Sequence, residues 1–163
     1  MTEQFGDWLL DKKLGQGGFG KAIKVTNVRT GQRGCLKLAD SNAGQSALDS
    51  EIRILREINH PNIAGLIEGV TSPYAYLVSE YIPGESLAEE IIGDGPLAEQ
   101  QWLLLARDIL GALAYTASRN LVHRDLHYGN IMRSARKSVL IDFGTSVFTK
   151  RPKSPSQMMV GLC

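Results

Sequence analysis

The sequence predicts an α+β chain in two unlike lobes: a five-stranded antiparallel sheet with one helix, then a mainly helical lobe. Three observations carry this. Apolar and β-branched residues crowd positions 8 to 38 and are broken twice by glycine turns. Leu48, Ile52, Leu55 and Ile58 then recur at spacings of three and four, the period of a helix with one buried face. Beyond Pro83-Gly84 the pattern changes to helical runs, in which Trp102, Leu103, Leu104 and Leu105 are consecutive; a helix apolar on more than one face expects burial from several sides.

Taken in order, Leu9, Leu10, Leu14, Ile23, Val25, Val28, Leu36 and Leu38 mark three antiparallel strands, punctuated at Gly17-Gly18 and Thr30-Gly31. Asp40 to Gly44 is polar and reads as a loop, and a helix follows from about Ser46 to Ile58. His60-Pro61-Asn62 ends it, because proline cannot continue a helix. Ile63 to Leu66 and Ala75 to Tyr81 read as the last two strands, separated by a turn at Ser72-Pro73. Pro83-Gly84 has the composition of a hinge. It is placed at about 80–84, so residues 1–82 form the first lobe and 83–163 the second. There the pattern gives a short helix (Ser86 to Ile92), a turn at Gly93-Asp94-Gly95-Pro96, and a long helix from about Ala98 to Ser118.

At 163 residues, 43% hydrophobic and 21% charged, the chain has the size and composition of one soluble globular domain. A net charge of +1 gives no electrostatic case for nucleic acid or an anionic membrane as partner. No run approaches the roughly eighteen apolar residues of a membrane span. The first residues lack the basic and apolar regions of a secretory signal, and Cys35 and Cys163 make no disulfide framework, so a cytoplasmic setting is expected.

The chemistry is concentrated in His123-Arg124-Asp125-Leu126-His127-Tyr128-Gly129-Asn130 and in Asp142-Phe143-Gly144. Asp125 and Asn130 lie five residues apart, and Asp142 follows Asp125 by seventeen. Phosphoryl transfer from a nucleotide needs such a kit: one acid to orient an attacking hydroxyl, and an amide and a second acid to hold Mg²⁺. Gly15-Gln16-Gly17-Gly18-Phe19-Gly20 is a G-x-G-x-x-G run. Alone it also fits a dinucleotide-binding turn or a plain hairpin. Its place between two strands, rather than before a helix, suits a loop whose backbone N–H groups approach phosphate oxygens. Lys37, in Gly34-Cys35-Leu36-Lys37, and Glu51, on the helix that follows, complete the set. His60, His123 and His127 lack any spacing that would hold zinc.

Together these residues resemble the eukaryotic-type Ser/Thr protein kinases, and the resemblance covers nearly the whole chain. It implies a two-lobed kinase-like fold with ATP and Mg²⁺ between the lobes, and transfer of the γ-phosphate to Ser or Thr of a protein substrate. Asp125 would be the catalytic base or the orienter of the acceptor hydroxyl, on a catalytic loop spanning 123–130. Lys37 would reach the α- and β-phosphates and pair with Glu51, while Asn130 and Asp142 would bind the metal. Gly15, Gly17, Gly18, Phe19 and Gly20 would cover the phosphates, and Ala22, Cys35 and Met132 would sandwich the adenine. The backbone from Glu80 to Ile82 would meet the adenine edge, with Ser86 or Glu85 near the ribose. His123 and Phe143 would stack with Leu55 and Leu66 in an apolar column. Arg124 implies an activation segment, from Asp142 onward, ordered by phosphorylation at one of Thr145, Ser146, Thr149, Ser154 or Ser156.

Three features depart from the family pattern. His127 stands where Ser/Thr kinases usually carry Lys, and Leu126-His127-Tyr128-Gly129-Asn130 is similar to a run in small-molecule phosphotransferases. That class stays open as an alternative, as does a catalytically weak ATP-binding or scaffold module. Ser79 is a small residue at the position that guards the pocket behind adenine. No Ala-Pro-Glu precedes Cys163, so a kinase truncated after the activation segment is expected. The long helix would then expose Trp102 to Leu105 to a second copy or a partner.

Overall fold

The computed structural model describes residues 3–17, 20–134 and 137–149. Strands β1 (Gln4–Phe5), β2 (Trp8–Gly17), β3 (Gly20–Asn27), β4 (Arg33–Leu38), β5 (Leu66–Val70) and β6 (Tyr76–Glu80) form one sheet, in the spatial order β1-β2-β3-β4-β6-β5. All its neighbours are antiparallel. The sheet thus has six strands rather than the expected five. The addition, β1, is two residues long, too short to carry any periodicity.

Alternation along the strands gives the sheet two unlike faces. One buries Trp8, Val25, Leu36 and Val78, flanked by Phe5 and Tyr76. Glu68 braces this side: it accepts from Trp8 Nε1 at 2.9 Å and from the Tyr76 hydroxyl at 2.5 Å. Donation to a carboxylate holds the Tyr76 phenol up at about 12. The other face carries Leu77 and Ala75 onto Leu48 and Ile52 of helix α1 (Asn42–Glu57).

Two boundaries differ from those expected. Helix α1 begins at Asn42, because Ser41 caps it by accepting the Gly44 N–H at 3.1 Å. The cap pulls the first turn into a stretch that composition alone marks as loop. The fourth long strand is Leu66–Val70 rather than Ile63 to Leu66. Ile63 and Ala64 are buried, yet they pair with the second lobe: Ala64 N–H donates to Leu140 O at 3.1 Å and Leu140 N–H to Asn62 O at 2.9 Å. Around them Asn62 Nδ2 holds Ser138 O at 2.8 Å, and the Tyr115 hydroxyl accepts from Asn59 N–H at 2.7 Å. Residues 59–64 therefore fasten the end of α1 to the second lobe.

That lobe follows Gly84, whose φ of +119° lies in glycine territory and whose absent Cβ would sit 1.9 Å from Arg133 O. It comprises β7 (Glu85–Ser86), α2 (Leu87–Asp94), α3 (Glu99–Ser118), β8 (Leu121–Val122), β9 (Ile131–Ser134), β10 (Lys137–Leu140) and β11 (Val147–Phe148). Strands β10, β9 and β7 form one small sheet, and β11 pairs with β8. Helices α2 and α3 are the largest elements of the lobe, and the short hairpins depart from the expected pattern. Ile54 and Leu55 from α1, and Ile58 just after it, meet Leu87, Leu105, Ile109, Ala112, Leu121, Ile131, Leu140 and Phe143 in the core that joins the lobes. Leu105 is therefore buried, a correction to its expected exposure, whereas Trp102, Leu103, Leu104 and Leu110 do face outward. The four consecutive apolar residues span a full helical turn, so one of them has to face the core. Among the described residues no helix is long and apolar enough to cross a membrane.

Candidate active site

Lys37 is placed by β4, where alternation puts it on the α1-facing side of the sheet beside Ala22 of β3 and Leu77 of β6. Its ammonium lies 2.7 and 3.0 Å from the two oxygens of Glu51 and 3.2 Å from Asp142 Oδ1. Glu51, on α1, has a side chain only 4% exposed and also accepts the Phe143 N–H at 3.2 Å. One buried carboxylate thus ties the sheet lysine to the backbone of the Asp142-Phe143-Gly144 turn. Burial alone would lower the Lys37 pKa, but the two carboxylates outweigh it and raise the value above the ordinary lysine range. Lys37 is a fixed cation.

Asp142 has a φ of +64°, a left-handed conformation that Asp tolerates because its side chain bonds locally. Here Oδ1 accepts the Gly144 N–H at 3.2 Å. Burial pushes its pKa up, while Lys37 and that N–H pull harder and leave it below the usual Asp value. Phe143 is fully buried, and His123 meets its ring edge-on with centroids 4.7 Å apart. Leu55 and Leu66 pack in the same cluster, so the expected apolar column is present.

The second half of the site is the loop from His123 to Asn130. His123 Nε2 contacts Ile141 O at 3.2 Å, and its Nδ1 accepts the Asp125 N–H at 3.3 Å. Burial lowers the His123 pKa against the pull of the Ile141 carbonyl and of the Asp142 and Asp125 carboxylates. Both contacts position the loop, and neither places the ring at a proton-transfer site. Asn130 Nδ2 donates to Asp125 O at 2.9 Å and to Asp125 Oδ2 at 3.2 Å, while its carbonyl oxygen takes no hydrogen bond among the described residues. Arg124, at φ +68°, carries the backbone strain of this loop and points into solvent.

Gly15, Gly20, Ala22, Lys37, Glu51 and Asp142 line one cavity of about 220 Å³. Gly17 ends β2 opposite Gly20, whose missing Cβ would lie 2.0 Å from Leu38 O; that position admits only glycine. Gly18 and Phe19 lie outside the described residues. Ala47, Leu48 and Gly144 also line the cavity. The two α1 residues were missed because their apolar side chains carry no chemistry of their own.

Cys35 and Ser79 are cross-strand partners on the cleft side of the sheet, half-buried and buried respectively, and neither lines that cavity. Burial pushes the Cys35 thiol up. Met132 packs with Ile82, Ala64 and Val139 on the second lobe's side. Among the described residues Ile82 has no backbone partner for its N–H or C=O, while Glu80 N–H is taken by Gly65 O at 2.8 Å. Ser86 is a correction. It is the buried N-cap of α2: its hydroxyl donates to Glu89 Oε2 at 2.7 Å and accepts the Glu89 N–H at 3.2 Å, so the cap takes its donor and one of its lone pairs in place of the expected ribose contact. The hydroxyls of Thr145 and Ser146 both donate to His123 O, and that of Thr149 donates to Asn120 O. Ser154 and Ser156 lie outside the described residues.

A curled antiparallel sheet, a single helix whose buried acid pairs with a strand lysine, and two acidic loops beneath them define the two-lobed kinase fold. The chain belongs to the protein kinase domain family, whose family model matches residues 8–162. It is 35% identical over 152 residues to serine/threonine-protein kinase ppk25 of Schizosaccharomyces pombe, covering 89% of this chain and 36% of that one. It is 37% identical over 127 residues to calcium-dependent protein kinase 5 of Plasmodium berghei, with coverage of 76% and 23%. A probable myosin light chain kinase of Dictyostelium discoideum is 32% identical over 146 residues, with coverage of 86% and 47%. The chain spans less than half the length of each of these relatives.

Proposed function

We propose that the chain transfers the γ-phosphate of ATP to Ser or Thr hydroxyls of proteins, with Mg²⁺ as the required cation. The observation that carries this is Lys37 held at 2.7 Å from Glu51 and 3.2 Å from Asp142 beneath the glycine hairpin. A cation fixed there suits the phosphate chain of a nucleotide. Asp125, its carboxylate anchored by Asn130, suits the acceptor hydroxyl. The Asn130 amide oxygen and the Asp142 carboxylate fit Mg²⁺, which favours oxygen donors and few protein ligands; when bound it supplies charge neutralisation on the phosphates. Ala22, Cys35 and Met132 suit the faces of the purine, and the backbone of Ile82 suits its edge.

Leu126-His127-Tyr128-Gly129-Asn130 favours a second reading, a small-molecule acceptor. The Ser/Thr kinase names among the relatives support the protein acceptor. Intact mass after incubation with Mg·ATP and a generic protein substrate tests the proposal, beside Asp125→Asn and Lys37→Met. Phosphate added by the wild type alone supports it. No transfer to protein, with transfer to an aminoglycoside or choline, overturns it in favour of the second reading. A cytoplasmic setting is part of the proposal and rests on sequence alone. Self-association through the outward side of α3 (Trp102, Leu103, Leu104) is the remaining part; a sedimentation coefficient unchanged by Leu103→Glu argues against it.

A further inference from the structure

We propose that His127 is the positioning residue for Asp125, held in one tautomer and one orientation by Gly129. The inference rests on the phosphotransfer reading above and deepens it. The Gly129 N–H donates to His127 Nδ1 at 3.0 Å. A ring nitrogen that accepts a hydrogen bond carries no proton, so the proton of the neutral ring is on Nε2. That nitrogen faces Asp125 Oδ2 at 3.8 Å, the same oxygen that accepts from Asn130 Nδ2 at 3.2 Å.

Gly129 is what allows this. A Cβ there would lie 2.9 Å from His127 Cε1 and 3.0 Å from His127 Nδ1, so the imidazole can lie over position 129 only because no side chain is present. His127 and Gly129 therefore act as one device, two residues apart, on the loop that carries Asp125. The same ring caps the single turn Tyr128–Asn130, which fixes it relative to Asn130.

The Asp125 side chain is 48% exposed, and Asn130 Nδ2 holds it through Oδ2 alone. A second donor from His127 Nε2 to the same oxygen would fix the carboxylate plane and leave Oδ1 for the acceptor hydroxyl. At 3.8 Å the His127 contact is longer than a hydrogen bond. Catalytic hydrogen bonds are often long in unliganded sites and tighten when substrates bind. His127 exchanges no proton in this role; it sets the orientation of a neighbouring carboxylate.

Two amide replacements separate this role from simple turn capping. In His127→Asn the amide oxygen replaces Nδ1 as acceptor for Gly129 N–H, but nothing reaches Asp125. In His127→Gln the amide nitrogen lies near the place of Nε2 and can reach Asp125. Positioning predicts that kcat falls about ten- to hundredfold in His127→Asn, with KM for ATP little changed, and that His127→Gln recovers most of the loss. Gly129→Ala, which displaces only the ring, gives a similar loss, and adding His127→Asn to it costs nothing further. The ¹⁵N shifts of the wild-type ring should report the Nε2–H tautomer. Wild-type kcat in His127→Asn, losses that multiply in the double variant, or an Nδ1–H tautomer overturns the role while leaving the kinase reading intact. A wild type that transfers no phosphate to any hydroxyl overturns both.

Discussion

Replacing Lys37 by methionine isolates one charge, because the two side chains have similar length and the methylene stem keeps its packing. Glu51 is then left with a side chain only 4% exposed and no cation against it. Leaving a buried acid unpaired typically costs about 3–5 kcal/mol. Burial already pushes the Glu51 carboxyl upward in the intact pair, and without Lys37 nothing opposes that push except the Phe143 N–H. The cost must then depend on pH. A carboxyl whose folded pKa is raised above its unfolded value of 4.5 contributes its full stability below 4.5 and loses it as pH rises to the folded pKa. The Glu51 pKa is raised in the wild type and raised further in the variant. The variant's deficit should therefore grow with pH between the two folded values, by at most about 1.4 kcal/mol per unit, and level off above the higher one. Urea unfolding of wild type and Lys37→Met at about pH 5, 6.5 and 8 measures it. Adding Glu51→Gln to Lys37→Met should remove most of the pH dependence and restore much of the lost stability. An equal deficit at all three pH values, or a double variant no more stable than the single, would refute the reasoning.

Phe143→Ala empties a site that is 1% exposed at the junction of the lobes, and should cost about 3–5 kcal/mol in urea unfolding. His123 has a pKa lowered by burial, so the stability it contributes is present above about 6.5 and declines as pH falls through 6.5 toward the folded value. Melting temperature should fall on acidification across that window in wild type and fall less in His123→Gln. Gly84→Ala places a Cβ 1.9 Å from Arg133 O at a φ of +119°; a loss of about 1–3 kcal/mol is expected, and an unchanged urea midpoint counts against that close approach. Ser79 is buried beside Cys35 on the cleft side, so purines bearing bulky N6 groups should bind wild type at least tenfold more tightly than Ser79→Met, by calorimetry.

The candidate site residues could be picked out in the sequence because the roles proposed for them demand particular functional groups at fixed spacings. Lys37 and Glu51 are fourteen positions apart, yet one strand and one capped helix bring them to 2.7 Å. What escaped depends on contacts between distant segments. β5 was misplaced because Glu68 and Gly69 interrupt its apolar pattern, and only the fold shows that Glu68 serves the Trp8 and Tyr76 donors. Ile63 and Ala64 look like a strand because they are apolar, but their partner is Leu140. Ser86 resembles a ligand contact until Glu89 is seen closing the cap around it. The relation between His127 and Gly129 was equally hidden, since neither residue implies the other without the ring's orientation.

The fastening of residues 59–64 sets how the two lobes can move. Lys37 travels with the sheet, whereas Glu51 sits on a helix whose far end is moored to Ser138, Leu140 and Tyr115 of the other lobe. Helix α1 is also packed on the sheet through Leu48 and Ile52, so a rotation of the sheet about Pro83 and Gly84 pulls on the helix from both ends and strains the Lys37–Glu51 pair. The ion pair serves as a gauge of cleft angle. Opening of the lobes is resisted by the same contacts that hold the pair at 2.7 Å.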